Sequence, residues 1–187
     1  MTNNNIEERL DLLRERIQEE SFLEGKGLSN EVNIQIFCYD AEYEMAVTHF
    51  IEQIKNDPGI HCNLVECNLY KTFLDICNDL GIIEAIPELE EAEGSEFLLD
   101  QLHTAVSEND FIDKIQYSPH KQGDVLMLTG VGDAFPFIRV HSLLEALQPR
   151  FSDIPILVMY PGEFTGHQLR LFNRLKPNDY YRAFNII

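Results

Sequence analysis

Two near-continuous apolar runs, "DVLMLTGV" at 124–131 and "IPILVMY" at 154–160, constrain this chain more than any other feature. A strand with one wet face alternates apolar and polar residues. These runs leave no face for water, as in strands covered by helices on both sides. Between them Val140, Leu144 and Leu147 recur at helical spacing. Strand, helix and strand in that order form a right-handed parallel crossover. The sequence therefore predicts an α/β fold: a three-layer Rossmann-like or P-loop-like domain with a mainly parallel sheet of about five strands and a helical insertion.

The remaining elements follow the same logic. Ile6, Leu10, Leu13 and Ile17 repeat at helical spacing among Glu and Arg residues, predicting an amphipathic N-terminal helix over 5–20. It either lies on the sheet or receives a partner, and a homodimer is compatible with it. "VNIQIFCYD" reads as a first buried strand, with Asp40 as N-cap of a helix carrying Tyr43, Val47, Phe50, Ile51 and Ile54. "HCNLVECNLY" contains a second strand. Tyr70, Phe73, Leu74, Cys77 and Leu80 then form a helix face that closes at Gly81. Residues 82–122 combine the acidic stretch "PELEEAEGSE" with two further helical patterns. About 40 residues cannot easily bury a core of their own, so this reads as an insertion within one domain spanning 1–187. "YYRAFNII" reads as a short edge strand.

Charge narrows the function. Fourteen Lys and Arg against 32 Asp and Glu give a formal net charge of −18. The average field opposes approach to nucleic-acid phosphates or anionic lipid, so tight DNA binding by the isolated chain is not expected. Arg139, Arg150, Arg170, Arg174, Lys176 and Arg182 nevertheless gather towards the C-terminal end and leave room for a local basic site. The polar, acidic N-terminus and the lack of an apolar run approaching roughly 20 residues indicate a cytoplasmic chain with no membrane role. Cys38, Cys62, Cys67 and Cys77 form no CxxC pair and sit within predicted elements, where reduced cysteine is a small apolar filler. Neither a disulfide nor a metal site is expected.

The turn "TGVGDAFPFIR" has the placement of a phosphate loop, a glycine-bearing turn between a buried strand and a helix. A P-loop also needs a lysine for the outer phosphates and a following Ser or Thr for magnesium, and both are missing. The third glycine of GxGxxG is replaced by Phe135. Asp133 is expected at the helix N-terminus, where its carboxylate repels a phosphate, and Pro136 removes an N–H from the first turn. The turn therefore reads as structural: Gly130 and Gly132 permit it, Asp133 caps the helix, and Phe135 and Phe137 pack. In the fourth turn, "YPGEFTGHQ", Glu163 and His167 are expected near Asp133, Arg139 and His141, the raw material of a hydrolytic site. No HExxH, DxD or GxSxG pattern supports catalysis, and no catalytic, cofactor-binding or metal residues are assigned.

Three blocks, "LTGVGDAFPFIRVHSLLEALQ", "PILVMYPGEF" and "LFNRLKPNDYYRAFNI", occur in order, preceded by "GLSNEVNIQIFCYD". Together they resemble the BrxB family of bacterial BREX phage-defence operons over essentially the whole chain. The matching positions are Gly130, Gly132, Phe135, Pro136, Arg139 and His141, then Pro161, Gly162 and Glu163, then Tyr181, Arg182, Phe184 and Asn185. The resemblance implies a place in a system that marks host DNA by adenine methylation and blocks replication of unmarked phage. Its implied partners are other BREX subunits, above all the PglZ-like protein. It carries no catalytic residues with it. The expected role is a non-catalytic adaptor or regulatory subunit; the alternatives are a degenerate nucleotide sensor and, behind it, a hydrolase or nuclease.

Overall fold

The computed structural model describes residues 6–24, 33–180 and 182–187. In chain order these form α1 (Ile6–Arg16), α2 (Glu20–Leu23), β1 (Ile34–Tyr39), α3 (Glu44–Lys55), β2 (Asn63–Asn68), α4 (Leu69–Asp79), α5 (Ile86–Glu93), α6 (Ser95–Ala105) and α7 (Glu108–Ile115). They continue as β3 (Asp124–Thr129), α8 (Val131–Ala134), α9 (Val140–Leu147), β4 (Ile156–Phe164), β5 (Gln168–Leu171), β6 (Asn178–Asp179) and β7 (Phe184–Asn185). Five strands run parallel in the order β2-β3-β4-β1-β7, and β4 turns back into an antiparallel β5 and β6. The mainly parallel three-layer α/β expectation is borne out.

The period of two explains the layers. Ile34, Ile36, Leu126, Leu128, Ile156 and Val158 point into one core, which α4, α6, α7 and α9 cover. Their neighbours Phe37, Val125, Met127, Leu157 and Met159 point into the other, under α1, α2 and α3. The apolar stripe of α1 thus lies on the sheet: Leu13 and, just beyond the helix, Ile17 are fully buried.

Within 82–122 a short 3-10 turn and the helices α5 to α7 appear, and Leu98, Leu102, Val106, Phe111, Ile112 and Ile115 join the core on the β3 side. A capping box starts α7: the Ser107 side chain accepts from the Asp110 N–H while the Asp110 carboxylate accepts from the Ser107 N–H at 2.7 Å. The acidic α5 has no buried residue.

Three local expectations need correction. On α4 the buried residues are Leu69, Thr72, Phe73, Ile76 and Cys77, while Leu80 is 48% exposed. The Asn68 side chain accepts from the Lys71 N–H at 3.1 Å, starting the helix directly after β2 and setting its phase. Asp40 precedes a 3-10 turn and makes no capping bond; its carboxylate instead accepts from Asn173 Nδ2 at 2.6 Å. Most consequentially, "YPGEF" is no turn. β4 runs on through Pro161, Gly162 and Glu163, which lie opposite β1 and then β5. Pro161 is the last residue in register with β1, at the strand end where a missing N–H costs least.

Polar groups tie the amino edge of the sheet. Asn33, 6% exposed, donates its amide to the carbonyls of Phe151 and Ile154. Asp124, 2% exposed, accepts from Asn63 Nδ2 at 2.7 Å, Tyr117 Oη at 2.9 Å and the Lys121 N–H at 2.9 Å.

Candidate functional site

In an open α/β sheet the ligand crevice lies beyond the carboxyl ends of the strands, where successive crossovers leave to opposite faces. Here the helix after β1 covers one face and those after β2 and β3 cover the other, so the reversal falls at β4. The protein fills that place itself. A Cβ on Gly132 would meet the Phe172 ring at 2.9 Å and Pro161 Cγ at 3.3 Å. Phe172 and Asn173 both adopt positive φ, 56° and 55°, in the turn that follows β5. That backbone is uncommon for a bulky residue, and it is braced by the Phe172 N–H donating to the Pro161 carbonyl at 2.7 Å and by the bond from Asn173 to Asp40.

The first glycine is equally committed. Gly130 has φ +65° and precedes α8 as its N-cap, and a Cβ there would lie 2.5 Å from Asn68 Oδ1. Asp133 therefore does not cap a helix. It is exposed within a single turn, because the chain extends at Phe135 and begins α9 only at Val140. Its carboxylate still makes the region hostile to phosphates. Glu44, which accepts from Tyr39 Oη at 2.9 Å, has its pKa raised by burial and further by Asp133. Isothermal titration with ATP and magnesium is accordingly expected to show no binding below millimolar concentrations. Low-micromolar affinity that is lost on changing Gly132 or Asp133 would reinstate a nucleotide site.

Of the candidate hydrolytic group, Arg139 and His141 line one pocket, and Asp133, Glu163 and His167 are not among its walls. Glu163 faces Arg170 across the β4–β5 hairpin at 3.3 Å, and His167 is exposed in the connection between those strands. Among the described residues, no three His, Cys, Asp or Glu side chains are grouped to hold a metal ion. The four cysteines are free, and burial pushes the Cys38 thiol up to about 12.

Beside the filled crevice lies an open pocket of about 240 Å³. The first block supplies Val131, Phe135, Ile138, Arg139, Val140 and His141. From the second comes Tyr160, while Leu171, Leu175, Lys176 and Asn178 belong to the third, with Leu169 just before it. Three separated blocks thus converge on one cavity. Its body is aliphatic and aromatic, and the Arg139 and Lys176 side chains stand exposed at it with no ion pair or hydrogen bond among the described residues. His141 is half-buried; burial, then the Arg139 charge, lowers its pKa and keeps it neutral at pH 7.

The other singled-out residues have structural contacts. Phe137 stacks on Phe73 at 4.2 Å between ring centroids. The Pro136 carbonyl is 2.8 Å from His103 Nε2. Asn185 Nδ2 donates to the Phe164 carbonyl at 3.1 Å, and Phe184 pairs with Gln35 in β7. Arg182 is exposed, and Tyr181 lies outside the described residues. Sequence reading missed Leu169, Leu175 and Asn178 as site residues and has Lys176 only among the cations that leave room for a local basic site. The alternation of "QLRL" was the available signal for the first, but nothing local announces that this segment folds back over β4.

Comparison with known proteins gives one consistent result. The family model described as BREX protein BrxB matches residues 65–186, which include the whole pocket. A "BREX protein BrxB" of Bacillus cereus (strain H3081.97) is 38% identical over 191 residues, covering 97% of each chain. A "BREX protein BrxB" of Escherichia coli O9:H4 (strain HS) is 30% identical over 187 residues, covering 97% of this chain and 92% of its own length. No solved structure matches.

Proposed function

This chain belongs to the BrxB family of BREX proteins, and from that membership we propose that it is a non-catalytic adaptor of a BREX phage-defence system whose task is to dock the PglZ-like component. The observation that carries the reading is the contrast at the carboxyl edge of the sheet. At the nucleotide position Phe172 packs against Gly132, with the Asp133 and Glu44 carboxylates close enough to interact, whereas the adjoining apolar pocket is open and its two cations are uncommitted. An apolar patch lined by aromatic side chains and edged by an arginine has the make-up of a protein-binding surface. No helix among the described residues is long and apolar enough to cross a membrane.

Co-purification with each BREX component expressed separately tests this. The PglZ-like protein is expected to be retained. Arg139→Ala is expected to weaken retention while leaving the melting temperature unchanged, because the guanidinium is exposed and unpaired. Glu163→Ala removes only the exposed pair with Arg170 and is expected to cost less than about 1 kcal/mol of stability. Failure to retain any component, together with a purified activity that disappears in His141→Ala, would replace the adaptor by an enzyme.

A further inference from the structure

Resting on that docking reading, we propose that the pocket is built for one large apolar side chain carried on an acidic segment of the partner, with the flanking carboxylates held by Arg139 and Lys176. Size is the first argument. About 240 Å³ falls under the roughly 300–1,000 Å³ of clefts that enclose a drug-sized ligand or cofactor, and suits a single anchoring side chain. The walls are the second. Val131, Ile138, Leu169 and Leu171 give an apolar wall with no side-chain hydrogen-bonding group, which a large apolar side chain covers without loss, while the polar side chains of the lining, Arg139, His141, Lys176 and Asn178, remain for the groups that flank it.

Charge decides the rest. The chain carries −18 overall, and Arg14 pairs with Asp57, Lys55 with Glu66, Lys114 with Asp79 and Arg170 with Glu163; Lys71, Lys121, Arg174 and Arg182 also lack an ion pair among the described residues, but none of them lines this pocket. Arg139 and Lys176 are exposed at the pocket and have no such partner. A basic segment laid across them meets like charge, and a neutral one leaves them unused. An acidic segment forms charge-assisted hydrogen bonds. The average negative field of the chain does not cancel this, because at physiological salt it is screened beyond about 8 Å and the contact cations dominate.

The test uses full-length, isotope-labelled protein and synthetic peptides as probes: Asp-Glu-Phe-Glu-Asp, the same peptide with Ala for Phe, and Lys-Arg-Phe-Arg-Lys. Saturable shifts of the Val131, Ile138 and Leu169 amide resonances are expected with the first peptide alone. Combining Arg139→Glu with Lys176→Glu is expected to weaken that binding at least about tenfold. A thermal melt and the milder Lys176→Ala check that the effect is not misfolding. Equal binding of the basic or the Ala peptide, or no shift with any of them, overturns the inference. Retention of the PglZ-like component at wild-type level by the charge-reversed double variant also overturns it, and leaves the docking reading standing. If the wild-type protein retains no BREX component, the docking reading falls, and the peptide titration alone decides the chemistry of the pocket.

Discussion

Gly162→Ala is expected to lower the melting temperature by roughly 6–12 °C, the equivalent of about 3 kcal/mol in a chain of this size. A Cβ at that position would lie 2.2 Å from the Arg170 carbonyl oxygen and 2.9 Å from Tyr160 Cε1. A side chain can swing away from such a clash, but the Arg170 oxygen belongs to the β5 backbone paired with β4. The hairpin must therefore part or shift. Gly130→Ala differs in kind: its Cβ meets the Asn68 amide, which can rotate only by giving up its cap bond from the Lys71 N–H, so about 1–2 kcal/mol for the left-handed backbone is joined by about 1 kcal/mol for the lost cap. Because Leu169 and Leu171 reach the pocket from β5, Gly162→Ala is also expected to weaken retention of the partner. A melt within about 2 °C of wild type would mean that β4 and β5 do not approach as described.

Asp124→Ala is expected to cost about 3 kcal/mol at pH 7. The substitution strands three donors, from Asn63, Tyr117 and Lys121, that now converge on one buried carboxylate. The wild-type protein should also carry a pH signature. Burial by itself would raise the Asp124 pKa, but the hydrogen bonds from Asn63, the Lys121 N–H and Tyr117 outweigh it and hold the group below the ordinary carboxylate range. A depressed folded-state pKa contributes stability that is present in full above the unfolded value of about 3.9 and is lost as pH falls below it towards the folded value. Glu66 is also depressed: burial raises it, and the bonds from Lys55 and Thr129 more than compensate. Glu44 works with the opposite sign, since its raised pKa means that its ionised form is the disfavoured one near neutral pH. Denaturant midpoints followed from pH 7 to pH 3 should fall more for wild type than for Asp124→Ala. Parallel curves would remove Asp124 as the source.

Part of the pocket is legible in the resemblance: Phe135, Arg139 and His141 are matching positions of one block, and all three line the pocket. Glu163 was not placed correctly, because "YPGEF" carries the residues of a turn, and Pro-Gly ordinarily ends a strand. What keeps the strand going is the partner. β5 supplies the pairing at Gly162, Glu163 and Phe164, and only glycine fits beneath the Arg170 carbonyl. Asp133 was misplaced for a related reason. Its chemistry suits a cap, but Gly130 starts the turn earlier, and the helix proper waits until Val140.

By itself the sequence determined the quantities that depend on near neighbours: strands covered on both faces, from apolar runs without a wet side; helices, from their period; and the lack of a phosphate cradle, from the residues such a loop requires and does not have. The tertiary structure alone decided what depends on contacts distant along the chain. The order β2-β3-β4-β1-β7 put the crossover reversal at β4. The return of β5 placed Phe172 in the crevice and Leu169, Leu175 and Lys176 around the pocket. Local pattern records whether a residue prefers burial, because burial is a property of its own surface. Which residues share a cavity depends on how separate segments pack, and no single segment encodes that.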